Sequence, residues 1–190
     1  MALRLNIGGI EVHEGWKILN IQPGPGVDYV GTCATLSQFS ENSVDEIYAA
    51  HVLEHLGYQQ ELAGALREMH RVLIPGGLLR LSVPDMDILC RIYVNPSLQA
   101  EERFHVMRMM FGGQINEHDF HKVGLNWELL SQYLNEAGFR EIGRVSEFGL
   151  FPGDCSSLRF ANQLVSLNVV ARKSFNLVVR TAGTTPFGLE

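Results

Sequence analysis

Two short polar segments of this chain hold the residue types that do chemistry. The first, His51-Val52-Leu53-Glu54-His55, matches the HxxEH pattern of one group of zinc peptidases. Hydrolysis through such a pattern needs both histidines on one face of a helix and a third ligand elsewhere. Here the segment starts at the end of an apolar, strand-like run. No metal is therefore expected; His51 and Glu54 are read as lining a bound molecule, and His55 as supporting the start of the next helix. The second segment, residues 116–122, reads NEHDFHK. His121 in it is the candidate general base, since imidazole changes charge near neutral pH. The alternatives are a solvated loop without function, or a cation held by His118, Asp119 and His121.

Other polar residues are assigned structural work. Asp85 follows an apolar run and precedes a helical pattern, so it is expected to cap a helix beginning near Asp87 rather than to orient a substrate. Arg91 and Arg159 are read as surface residues. Pro75-Gly76-Gly77 is a turn and not a phosphate cradle, because no GK[ST] follows it.

The elements that must position these residues follow from periodicity. Strands are expected at 3–7, 17–21, 28–31 and 44–50, the last rich in β-branched and aromatic residues. Residues 58–73 carry Leu62, Leu66, Met69, Val72 and Leu73 at helical spacing, and the PGG turn follows. A strand at 78–83 leads into helices at 86–94 and 101–111, a polar loop at 112–124, and a helix at 126–137 between Asn126 and Gly138. Strands at 139–148 and 164–172 close the pattern. Strands that alternate with helices and then finish as a pair imply an α/β fold, a mainly parallel sheet with an antiparallel edge and helices on both faces. Residues 1–172 form the expected domain and 173–190 an extension, with a strand at 175–180 before a loose tail.

Composition sets outer limits. A chain of 190 residues, 46% hydrophobic and 19% charged, suits one globular domain. A formal net charge of -6 argues against general nucleic-acid binding, which needs a basic face. Three widely spaced cysteines, Cys33, Cys90 and Cys155, form neither an even disulfide set nor a CxxC pair. No apolar run approaches the roughly 20 residues that span a bilayer. The start of the chain lacks the apolar core of a signal peptide, so no membrane association and a cytoplasmic location are expected.

The segments NSVDEIYAAHVLEHL (42–56) and REMHRVLIPGGLLRLSVPD (67–85) resemble class I S-adenosylmethionine-dependent methyltransferases. With Gly15-Trp16 after the first strand, the chain is most similar to bacterial methyltransferase type 11-like proteins, over about residues 3–172. The resemblance implies a Rossmann-like methyltransferase fold. It also implies S-adenosylmethionine as cofactor, bound at the carboxyl ends of the strands by Gly8, Gly9, Asn20, Thr32 and His51. The acceptor it implies is a small molecule or glycan precursor, with His121 as the base if the acceptor must lose a proton.

Three positions depart from the family pattern. Ile10 stands where a second spaced glycine belongs, and a β-branched residue tolerates positive φ badly. If the turn kept the family's shape, strain of order 1–3 kcal/mol would result. Asn20 replaces the acid that accepts from the ribose hydroxyls, and Thr32 an acid near the adenine amino group. The alternative implied is a non-catalytic binding or scaffold protein with a degenerate cofactor motif.

Overall fold

In the computed structural model, which describes residues 2–175, alternation along the strands builds two unlike sheet faces. β1 (Arg4–Ile7), β2 (Trp16–Asn20), β3 (Tyr29–Val30), β4 (Val44–Ala50) and β5 (Leu73–Pro84) run parallel. β9 (Ser166–Lys173) then inserts antiparallel between β5 and β6 (Phe139–Val145). The sheet order is β3-β2-β1-β4-β5-β9-β6. A small hairpin of β7 (Arg159–Phe160) and β8 (Gln163–Leu164) stands apart. The mainly parallel sheet with an antiparallel edge is the expected methyltransferase-type architecture.

One face is apolar. Leu5, Ile7, Ile47, Ala49, Leu79, Leu81 and Val169 are all buried in one cluster. Over it lie α1 (Glu61–Val72) and α4 (Trp127–Glu136), which bring Leu62, Leu66, Met69, Leu130 and Leu134 at helical spacing. In register with these residues, the opposite face presents Arg4, Asn6, Glu46, Tyr48, Arg80 and Asn168. A helix with an apolar stripe would gain little against such a surface. It is met instead by the segment after β6, where Phe148 and Phe151 pack edge-on to Tyr48, Phe151 packs on Trp16 and His13, and Asp154 accepts the Tyr48 hydroxyl. Glu46 pairs with Arg80 at 2.5 Å and Arg4 at 3.7 Å. α2 (Met86–Tyr93) and α3 (Ala100–Phe111) form a separate cluster with Val165 where β5 ends.

Local punctuation works as read. The Asp85 carboxylate accepts from the N–H groups of Asp87 and Ile88, and Asn126 caps α4 through Leu129 N. Gly138, at φ +102°, lets the chain leave α4 for β6. The PGG segment differs from expectation. α1 ends at Val72, three residues before Pro75, and Pro75–Gly77 lie inside β5, where a register shift opposite Val44–Glu46 absorbs them. The strand expected at 175–180 lies, beyond Phe175, outside the described residues. At the end of β9, the buried Lys173 ammonium donates to Asn42 Oδ1 and to the carbonyls of Arg71 and Leu73, holding the last turn of α1. No described helix is long and apolar enough to cross a membrane. Among the described residues the three cysteines are free thiols, and burial pushes Cys33 up to about 12.

His70, on α1, packs under Gly138 and edge-on to the Phe139 ring at 5.1 Å. Burial, with the Lys173 charge nearby, pushes its pKa down to about 4 from an ordinary 6.5. The folded state therefore keeps His70 neutral while the unfolded chain takes up a proton, so its contribution is whole above pH 6.5 and is lost as pH falls toward 4. Over that interval, unfolding free energy by urea titration is expected to drop more steeply than in His70→Gln, by up to about 1.4 kcal/mol per pH unit.

Candidate functional site

The sequence-derived site residues separate into two neighbouring groups at the carboxyl ends of the parallel strands. The first surrounds the turn after β1. Gly8 N donates to Leu19 O at 2.8 Å, and Gly8 itself sits at φ +81°. A Cβ there would lie 2.6 Å from Val52 Cγ2, so the turn demands glycine twice over. Ile10 escapes the strain considered above. Its φ is not positive, and its side chain is 76% exposed.

Asn20, at the end of β2, is committed to the same turn. Its Nδ2 donates to Gly9 O at 3.0 Å and Gly8 O at 3.4 Å, while its Oδ1 accepts from Gln22 N at 2.9 Å. A carboxylate has no hydrogen to donate to those carbonyls. The amide therefore has a physical reason to stand where a related chain carries an acid. Gly31 N donates to Asn20 O at 2.9 Å, which brings Thr32 to the same rim. Thr32 Oγ1 accepts from Ala34 N at 3.2 Å in a local turn.

The second group contains His51 and His121. His51 follows β4 at φ +53° and lines a cavity of about 260 Å³ that also takes in His121, Arg108 and Asp119. Leu89, Met109, Leu158 and Val165 supply apolar wall. The segment 112–123 reaches this cavity by main-chain clips: His121 N donates to Phe111 O, and Lys122 N to Glu54 O at 2.7 Å. His118 stays at the surface beside Glu117, and Asp119 turns back to accept from Ile115 N. The HxxEH segment is not a peptidase helix. Leu53–His55 is a single 3-10 turn, and His51 precedes it in the left-handed region.

Sequence reasoning underrated Glu54. It is 1% exposed, and neither carboxylate oxygen has a hydrogen-bond donor. His51 Nδ1 stands 3.3 Å from Oε1 and His121 Nε2 4.0 Å from the same oxygen. His55 completes the group, its ring 4.9 Å from that of His121 and its Nδ1 3.1 Å from Phe120 O. Burial pulls the His121 pKa below its ordinary value, partly opposed by the Glu54 charge, so the ring carries a free lone pair near neutral pH. The signal available in the sequence was an acid inside an otherwise apolar run, Ala49 to Leu56, interrupted by histidines.

Residues 10–81 match the family model described as methyltransferase domain. No curated protein matches the sequence. Among solved structures, the chain is similar to a SAM-dependent methyltransferase from Methanosarcina mazei, at 16% identity and TM-score 0.57 over 92% of this chain and 93% of the other. A SAM-dependent methyltransferase from Archaeoglobus fulgidus gives 14% identity and TM-score 0.57, covering 90% and 86%. The CurJ carbon methyltransferase gives 17% and 0.53 over 91% of this chain, which spans 48% of that protein. At these identities the structural likeness is one of fold.

The role of Asn20 is open to direct measurement. Asn20→Asp removes both donors and sets a carboxylate against the Gly8 and Gly9 carbonyls. Urea unfolding is expected to report a loss of about 1–3 kcal/mol at pH 7, diminishing as pH falls through the carboxyl range.

Proposed function

On the premise that the chain belongs to the class I S-adenosylmethionine-dependent methyltransferase-like family, we propose that it transfers a methyl group to a nucleophile on a small molecule or glycan precursor. The observation that carries this reading is the adjacency of two features at the carboxyl ends of the inner strands. The glycine turn of β1 tolerates no side chain at Gly8, and beside it lies a cavity edged by His51, His121, Arg108 and Asp119. A volume of about 260 Å³ suits a small acceptor or one unit of a larger one.

The fit of the cofactor is uneven along the rim. The Gly8-Gly9 turn offers backbone at the end of β1, the position that suits the methionine portion. At the ribose position Asn20 acts by fixing that turn, and Thr32 stands where the resemblance implies a contact with the adenine. S-adenosylmethionine, when bound, supplies an already electrophilic methyl on a sulfonium. What this chain contributes is alignment of the acceptor, exclusion of water and a place for a proton. His121, neutral by burial, has a lone pair on the cavity wall to take that proton; His51, anchored by Ser166, fixes one side of the cavity. Arg108 favours an acceptor with anionic or hydrogen-bond-accepting groups.

A second reading is supported by the same polar atoms. Asn20 and Thr32 are both engaged with backbone, which suits a binding or scaffold protein whose cofactor site has become degenerate. Thermal unfolding with S-adenosylmethionine and S-adenosylhomocysteine separates the two. A native-state ligand at 100 times its dissociation constant stabilises by about 2.7 kcal/mol, so a rise of several degrees at millimolar ligand is expected. An unchanged midpoint with both ligands would favour the scaffold.

A further inference from the structure

We propose that Glu54, His55 and His121 bind one divalent transition-metal cation, of the Zn²⁺ class, at the wall of the acceptor cavity. The proposal starts from an electrostatic imbalance. A carboxylate 1% exposed, with neither oxygen receiving a hydrogen bond, keeps its charge in a protein interior when a positive charge stands beside it. With the neighbouring imidazoles neutral, the ring nitrogens that face Glu54 are acceptors.

The tautomers follow from the hydrogen bonds. Ser166 Oγ donates to Cys155 O at 2.9 Å, so toward His51 it accepts, and the proton of neutral His51 lies on Nε2. His51 Nδ1 then turns a lone pair toward Glu54 Oε1, 3.3 Å away. His55 Nδ1 faces the Phe120 carbonyl, which can only accept, so its lone pair is on Nε2. His121 Nε2 stands 4.0 Å from Glu54 Oε1. With these rings neutral, the Glu54 carboxylate meets lone pairs and no proton, and a cation held by Glu54, His55 and His121 supplies the missing charge.

Ligand chemistry and support agree. The candidate ligand atoms of Glu54, His55 and His121 all lie within 4.8 Å of one another. Tetrahedral ligands about 2.0–2.1 Å from zinc sit roughly 3.4 Å apart, so small side-chain rotations close the set. Two imidazoles and one carboxylate favour zinc and its first-row neighbours over Mg²⁺ or Ca²⁺. His55 presents its second nitrogen to the Phe120 carbonyl, the arrangement that orients metal-bound imidazole. Lys122 N and Val123 N both donate to Glu54 O, which locks the two ligand-bearing segments together. This set differs from the peptidase pattern, because His51 flanks the cation and His121 replaces it as ligand. Binding of the cation is tested separately from the methyl-transfer reading, but the two share His121: its lone pair holds the cation or takes the acceptor proton, not both at once.

The test uses tag-free full-length protein, stripped with chelator and titrated with ZnCl₂ by calorimetry, with metal content measured after dialysis. One equivalent is expected to bind saturably, with at least about tenfold weaker affinity in both His55→Ala and His121→Ala. His118→Ala, at the exposed tip of the same loop, is expected to bind as the unsubstituted chain does. Circular dichroism of each apo variant verifies that the fold persists. Absence of saturable binding up to about 100 µM Zn²⁺ overturns the proposal, as does affinity that survives both ligand substitutions or falls equally with His118→Ala.

Discussion

A charged carboxylate held away from water must meet compensating charge or donors, and the polar end of this molecule is arranged around that requirement at Glu54. The apolar neighbours Leu53 and Leu56 drive the one-turn helix against the core and carry the acid inward with them. Its main-chain carbonyl, meanwhile, receives Lys122 and Val123 and so clips the 112–123 segment to the end of β4. One residue thereby fixes the approach of His121. Replacing the carboxylate by an apolar group would relieve the burial cost, yet it would remove the feature that organises three imidazoles.

The two sheet faces divide labour in the same physical terms. The apolar face, under α1 and α4, carries the hydrophobic stabilisation. The opposite face is polar and aromatic, with ion pairs among Arg4, Glu46 and Arg80 and a cluster in which Phe151 joins Trp16 and Tyr48. That face is covered by the segment leading from β6 to β9. The same segment supplies Cys155 and Leu158 near the cavity, so the antiparallel edge is tied to the site rather than ornamental to it. At the other side of the site, Asn20 exchanges a charged ligand's duties for a donor's, stabilising a turn that two glycines leave loose.

How much of this was legible in the residues depends on the range of the interaction that decides each feature. Strands and helices came through periodicity, and the Asp85 and Asn126 caps through local chemistry. Pro75-Gly76-Gly77 misled because a turn and a bulge share residue types, and only the register against β4 distinguishes them. Five cofactor residues were placed on one rim, with His121 on a loop beside it. Their separation into a glycine group and a histidine group depends on the left-handed backbone at His51, which no pattern of side-chain types reveals. Glu54 and His55 joining His121 across 66 residues is likewise a tertiary fact. The expectation of no metal weighed the peptidase spacing and the His118, Asp119 and His121 set; of the latter, His118 lies at the surface beside Glu117 and Asp119 accepts from Ile115 N, and the three do not gather within ligand range.

The account is tested most directly by diffraction data collected across the zinc absorption edge from crystals grown with Zn²⁺. It expects an anomalous peak bonded to Glu54, His55 and His121 at about 2.0–2.1 Å. A structure without such a peak, in which a protonated His51 Nδ1 donates squarely to the Glu54 carboxylate, would contradict it.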